Sequence, residues 1–136
     1  MAVIGFNYNT ISAVRKPVPK GEVKINNNVS IKDVETQHVQ LGKTKQETLK
    51  VSFEFISKYE PNFGEIKLEG DIIFAEDEKI IKEVSDEWKK NKKLSKEVLT
   101  NVMNNVLGRC NIQAMVLSRD INLPPPLPLP KVQSKD

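Results

Sequence analysis

Cysteine, histidine and tryptophan each occur once, as Cys110, His38 and Trp88. A lone cysteine excludes an internal disulfide and, by itself, a thiolate metal cluster. With no paired Cys and no paired His, metal-ligand spacing is absent. Nothing around Cys110 or any serine has the strained turn of a catalytic nucleophile, although a dyad with a sequence-distant partner stays open for His38. His38 otherwise reads as a surface residue. Cys110 lies in an apolar helical pattern and reads as a buried small hydrophobe. The six glycines are scattered, so no Gly-rich loop precedes a helix to cradle a phosphate. No apolar run reaches the about 18 residues of a membrane helix. The segment Met1 to Tyr8 lacks the basic and long apolar regions of a signal peptide. These absences lead us to expect a cytoplasmic, non-enzymatic chain without metal or cofactor.

Neither sign of charge dominates. The 21 Lys+Arg and 18 Asp+Glu leave a net charge of +3. The densest basic run is Lys89-Lys90-Asn91-Lys92-Lys93, after Glu83, Asp86 and Glu87. Two readings fit it. One is a solvated helix C-terminus, where cations favour the dipole. The other is a site for RNA, the ribosome or another polyanion. Glu65, Glu69 and Asp71 share the wet face of a strand with Lys67, an alternation that favours a solvated ladder over a shifted carboxylate pair.

The chain is 136 residues long with 38% hydrophobic residues, enough for one domain with a modest core. Its organising stretch runs from Thr48 to Phe74. Leu49, Val51, Phe53 and Phe55 alternate with polar residues, as do Ile66, Leu68, Ile72 and Phe74. Period two gives one apolar and one wet face. Between the halves, Pro61, Asn62 and Gly64 supply turn chemistry, predicting an antiparallel hairpin. Gly70 reads as a joint between two strands, Glu65–Glu69 and Asp71–Ala75.

Upstream, residues 1–22 read as an N-terminal arm in which Ile4, Phe6, Tyr8 and Ile11 allow a short edge strand. Val23 to Lys32 alternates as a strand despite Asn26, Asn27 and Asn28. Residues 33–47 are too polar to be central, with a loop at Gly42 to Lys45. Downstream, Glu78–Lys90 has helical spacing through Ile80, Ile81, Val84 and Trp88, with Trp88 as a core anchor. Ser95 is an N-cap for a longer helix to Arg119. On it, Val98, Val102, Val106, Cys110, Ala114 and Leu117 form a stripe that Leu99, Met103, Leu107 and Met115 widen. The width fits either contact with a partner chain or full burial within one domain. Residues 121–136 form a Pro-rich extended tail. Its Pro124–Pro130 part suits either an aromatic groove on a partner or its own domain, with Leu127 and Leu129 tucked in. Lys131 to Asp136 read as a frayed polar end.

The order of strands, hairpin, long helix and Leu/Pro-rich segment resembles the SecB family of export chaperones. The local matches are Glu65-Ile66-Lys67-Leu68-Glu69-Gly70-Asp71-Ile72-Ile73-Phe74, and Val98 to Leu129 through Arg109-Cys110-Asn111 and Asn122-Leu123-Pro124-Pro125-Pro126. The sequence resembles the small archaeal proteins grouped with SecB more than the bacterial chaperone itself. The resemblance implies an α+β fold, with a four-stranded antiparallel sheet covered on one face by two helices. It implies one SecB-like domain over residues 1–136 and a homo-oligomer, a dimer or dimer of dimers joined through the long helix. Val98, Val102, Val106 and Leu117 are its interface candidates. The activity it implies is an ATP-independent holdase that binds unfolded or pre-export polypeptide in apolar grooves, without catalysis. Phe53, Phe55, Leu68 and Phe74 are groove candidates, and the same four fit an ordinary core. Three features depart from the bacterial pattern. There is no C-terminal lid helix after Pro130, a full helix stands at Glu78–Lys90, and the charge is mildly basic. The competing classes are a nucleic-acid or ribosome-associated binder using Lys89–Lys93, and an adaptor docking its proline tail.

Overall fold

The computed structural model describes residues 1–128. Four strands are followed by two helices: β1 (Ala2–Arg15), β2 (Lys24–Leu41), β3 (Thr44–Glu60), β4 (Gly64–Ala75), α1 (Glu78–Asn91) and α2 (Lys96–Asp120). The strands form one antiparallel sheet in the order β1-β4-β3-β2. The expected hairpin of β3 and β4 is therefore its centre. At the β3–β4 turn, Tyr59 accepts a backbone hydrogen bond from Phe63 at 2.9 Å, and Asn62 takes a left-handed φ of 51°.

Alternation decides which face is covered. Leu49, Val51, Phe53 and Phe55 on β3 and Ile66, Leu68, Ile72 and Phe74 on β4 are all fully buried. Each such side chain contributes about 1.5–3 kcal/mol by leaving water. α1 packs on β2 and β3, and α2 on β4 and β3. From α1 come Ile81 and Trp88, and from α2 Val102, Val106, Cys110 and Ala114. The opposite face stays wet. There Lys67 lies 2.9 Å from Glu69 and 3.9 Å from Glu54, and Lys32 lies 3.5 Å from Glu54. The acidic neighbours, Glu69 first, hold the Lys67 ammonium above its ordinary pKa.

Three local expectations change. Residues 2–15 form a 14-residue edge strand rather than an arm. β2 continues to Leu41, so most of the polar segment 33–47 lies in strands. It fits because β2 is an edge strand, where charged and polar residues are the rule. Gly70 is no joint, because β4 runs unbroken from Gly64 to Ala75 and pairs with β3 without a register shift. The irregularities of this pair sit in β1, between Val3 and Gly5 and between Tyr8 and Thr10, the second of them opposite Gly70.

The helices form where expected. Ser95 caps α2, its hydroxyl accepting from the Val98 amide at 3.4 Å. α1 ends as Lys92 turns left-handed at φ 54°, its amide donating to Trp88 O at 2.8 Å. After α2 the chain straps back over its own domain. Leu123 is buried, the Tyr59 hydroxyl donates to Pro124 O at 2.7 Å, and Asn27 Nδ2 donates to Pro126 O at 2.9 Å. Pro126 is buried and Leu127 half-buried. Leu129 and Lys131 to Asp136 lie outside the described residues. Among the described residues, no helix is long and apolar enough to cross a membrane.

Candidate functional site

The four groove candidates occupy the closed core. Phe53 and Phe55 are each 1% exposed, and Leu68 and Phe74 fully covered. They come together as one layer under the helices, so a ligand reaches them only if a helix lifts. The interface candidates divide. Val102 and Val106 face the sheet and are buried, while Val98 and Leu117 are half-buried at the helix flanks. The exposed apolar residues are others. They lie on α2 at Leu99 and Ile112, the latter 68% exposed, on α1 at Ile80, on β1 at Ile4, Ile11 and Val14, and after β1 at Val18.

An open apolar cleft forms where α1 ends and α2 begins. Ile31 of β2, Trp88 of α1, and Leu94, Leu99 and Met103 line about 320 Å³. That volume is at the lower end of ordinary ligand pockets. The local sequence builds it directly. The left-handed turn at Lys92 ends α1 one turn after Trp88, and Ser95 starts α2 three residues later. The short link carries only Leu94 as an apolar plug. Leu99 and Met103 are four residues apart and so share one flank of α2, beside the stripe that meets the sheet.

Trp88 is the cleft's chemical marker. It is 8% exposed, and its indole N–H is buried without a hydrogen-bond partner among the described residues. Such a donor costs about 1–3 kcal/mol while unpaired. The Lys92 ammonium stands 5.7 Å from the centre of the same ring. Lys92 and Lys93 both line the cleft. A second cleft of about 270 Å³ lies on the other side of Leu94, between Ile80 and Val84 of α1 and Val98 of α2. A third, of about 450 Å³, lies beside the proline strap at Met115, Val116, Leu123 and Pro125.

Cys110, Tyr8 and His38 lie outside the linings of these clefts. Cys110 is fully buried, which pushes its thiol up to about 11. Burial likewise raises Tyr8, whose hydroxyl donates to Arg109 O at 3.3 Å. His38 is exposed, 3.7 Å from Glu47. Among the described residues, no three His, Cys, Asp or Glu side chains gather as a metal site. Sequence reading identified Leu99 and Met103 as surplus width on the stripe but gave no reason to join them to Ile31, 68 residues before Leu99 in the chain.

The molecule is thus an α+β protein whose central hairpin sheet carries two helices on one face. No family model and no curated protein matches the sequence. Among solved structures, the chain is similar to the SecB-like chaperone Rv1957 of Mycobacterium tuberculosis, solved in complex with a ChAD peptide from the Rv1956 HigA1 antitoxin. The TM-score is 0.55 at 11% identity, over 99% of this chain and 92% of that one. At this identity the likeness is one of fold, and it is the SecB-like fold that the sequence resemblance implied.

Proposed function

We propose that this protein is a holdase chaperone that binds extended segments of non-native polypeptide in the cleft of Ile31, Trp88, Leu94, Leu99 and Met103. The supporting observation is the pairing of two facts. The fold is shared with a chaperone solved with a peptide bound, and an open apolar cleft with an unpartnered donor lies beside an otherwise closed core. Affinity comes from apolar burial at about 25 cal/mol per Å². No nucleotide and no reaction are involved. The groove lies one layer outside Phe53, Phe55, Leu68 and Phe74, which form its support. The chain works as a cytoplasmic homo-oligomer, for which the exposed Ile4, Ile11 and Ile112 provide contact surface. Its clients include unfolded and pre-export chains.

Light scattering from an aggregating client tests the reading. Suppression at equimolar protein is expected, and its absence overturns the proposal. Solution mass tests the assembly, where a clean monomer removes the oligomer. The alternative, a polyanion-binding role for Lys89, Lys90, Lys92 and Lys93, rests on their all being exposed. It requires RNA affinity that falls steeply with salt and disappears when the four are changed to Glu.

A further inference from the structure

Charge is segregated across the two clefts that share Leu94. The cleft containing Trp88 has Lys92 and Lys93 in its lining and no acidic residue. The cleft on the other side has Glu83, Glu87 and Glu97 in its lining and no basic residue. All five charged side chains are exposed. Among the described residues none of them forms an ion pair, although ion pairs form elsewhere on the surface. Glu87 accepts one hydrogen bond, from Asn91 Nδ2 at 3.1 Å. Opposite charges around the α1–α2 link therefore line two adjoining apolar hollows.

We infer that the two clefts act as one bipolar site. Its occupant is an extended polypeptide segment with two apolar anchors, an acidic residue flanking one and a basic residue flanking the other. The inference rests on the peptide-binding reading above and specifies its substrate class. Leu94 separates the anchors. One anchor lies against Trp88, Leu99 and Met103, with its flanking carboxylate beside Lys92 and Lys93. The other lies against Ile80, Val84 and Val98, with its flanking ammonium or guanidinium beside the three glutamates. Uniformly charged segments meet a like-charged rim at one end or the other, so the charges set which segments are held as well as how tightly.

The test uses the full chain and its only tryptophan. Four synthetic peptides carry the same two leucine anchors without tryptophan, flanked by acid and base, by acids only, by bases only, or by neither. Titrations follow Trp88 fluorescence. The mixed-charge peptide is expected to bind roughly fivefold tighter than each of the others, the size of a few rim ion pairs. The advantage should vanish at an ionic strength of about 1 M, where screening acts within about 3 Å. The double variant Lys92→Glu, Lys93→Glu should shift the preference to the all-basic peptide. Equal binding of all four peptides overturns the charge register and leaves the peptide-binding reading standing. Binding of none, the neutral peptide included, overturns both. Peptide affinity that weakens as protein concentration rises would identify the occupant as a competing second copy of the chain, and would overturn the inference as well.

Discussion

Gly70 lies directly beneath the backbone of Asn7, so that a Cβ at residue 70 would run into the Asn7 carbonyl oxygen. The contact is backbone, in the strand pair β1–β4, next to the irregularity between Tyr8 and Thr10. The clashing atoms are all backbone, so no side-chain rotation relieves the contact.

Gly70→Ala should therefore destabilise the fold by about 1–3 kcal/mol, the usual cost of overpacking a closed interior. Gly108 offers the control. It is an exposed position within α2 where an added Cβ meets nothing within 4 Å. Gly108→Ala should stabilise by about 0.5–1 kcal/mol through helix propensity alone. Urea unfolding of both variants checks the pair. Equal effects would show that Gly70 is a simple strand glycine.

The proline strap depends on Tyr59, which is 1% exposed and donates to Pro124 O. Tyr59→Phe keeps the ring and removes the donor, leaving the Pro124 carbonyl without this partner. A loss of about 0.5–1.5 kcal/mol is expected. Limited proteolysis should cut the 120s faster in the variant. An unchanged cleavage rate would mean that Leu123 and the Asn27–Pro126 hydrogen bond hold the strap by themselves.

Burial pushes the Tyr59 hydroxyl up to about 12, from about 10 for a free tyrosine. The folded state thus favours the protonated form. Its contribution to stability is fully present below pH about 10 and is lost as pH rises through about 12, because the unfolded chain ionises first. Tyr8 is raised in the same direction. Tyrosinate absorbance should appear together with unfolding above pH about 10, not before it. Tyr59→Phe should flatten the alkaline loss of stability. Tyrosine ionisation at the free value in the still-folded protein would contradict the burial of both hydroxyls.

The centre of the fold was legible because period-two and helical patterns there are enforced by burial on one side only. Leu49 to Phe55 and the α2 stripe carry that signal without interruption. The edges were not. β1 and the second half of β2 each need only one neighbour, so polar residues are tolerated there and the pattern weakens. Gly70 shows a different limit. Its reason lies in Asn7, 63 positions earlier, and a sequence carries no sign of which backbone approaches which glycine. The candidate site failed to show for a similar cause. Phe53, Phe55, Leu68 and Phe74 have the composition of a groove and of a core alike, and only the placement of α1 and α2 over them decides. The residues left open, Leu99 and Met103, appeared in the sequence merely as excess width.

That division between core and cleft gives the last prediction. Leu99 is 37% exposed and Met103 half-buried, both lining the Trp88 cleft. Leu99→Glu and Met103→Glu place a carboxylate in an open hollow, where it stays hydrated. Stability should change by no more than about 1 kcal/mol, while suppression of client aggregation falls sharply. Phe55→Ala acts in the opposite order. It opens a cavity in the layer beneath the helices and should cost about 3–5 kcal/mol. Client binding, measured below the lowered melting transition, should be nearly retained. Parallel thermal unfolding and light scattering on the three variants separate the two roles. Should Phe55→Ala abolish suppression at a temperature where it is still folded, and Leu99→Glu leave it intact, the groove would lie in the inner layer after all, exposed by movement of a helix.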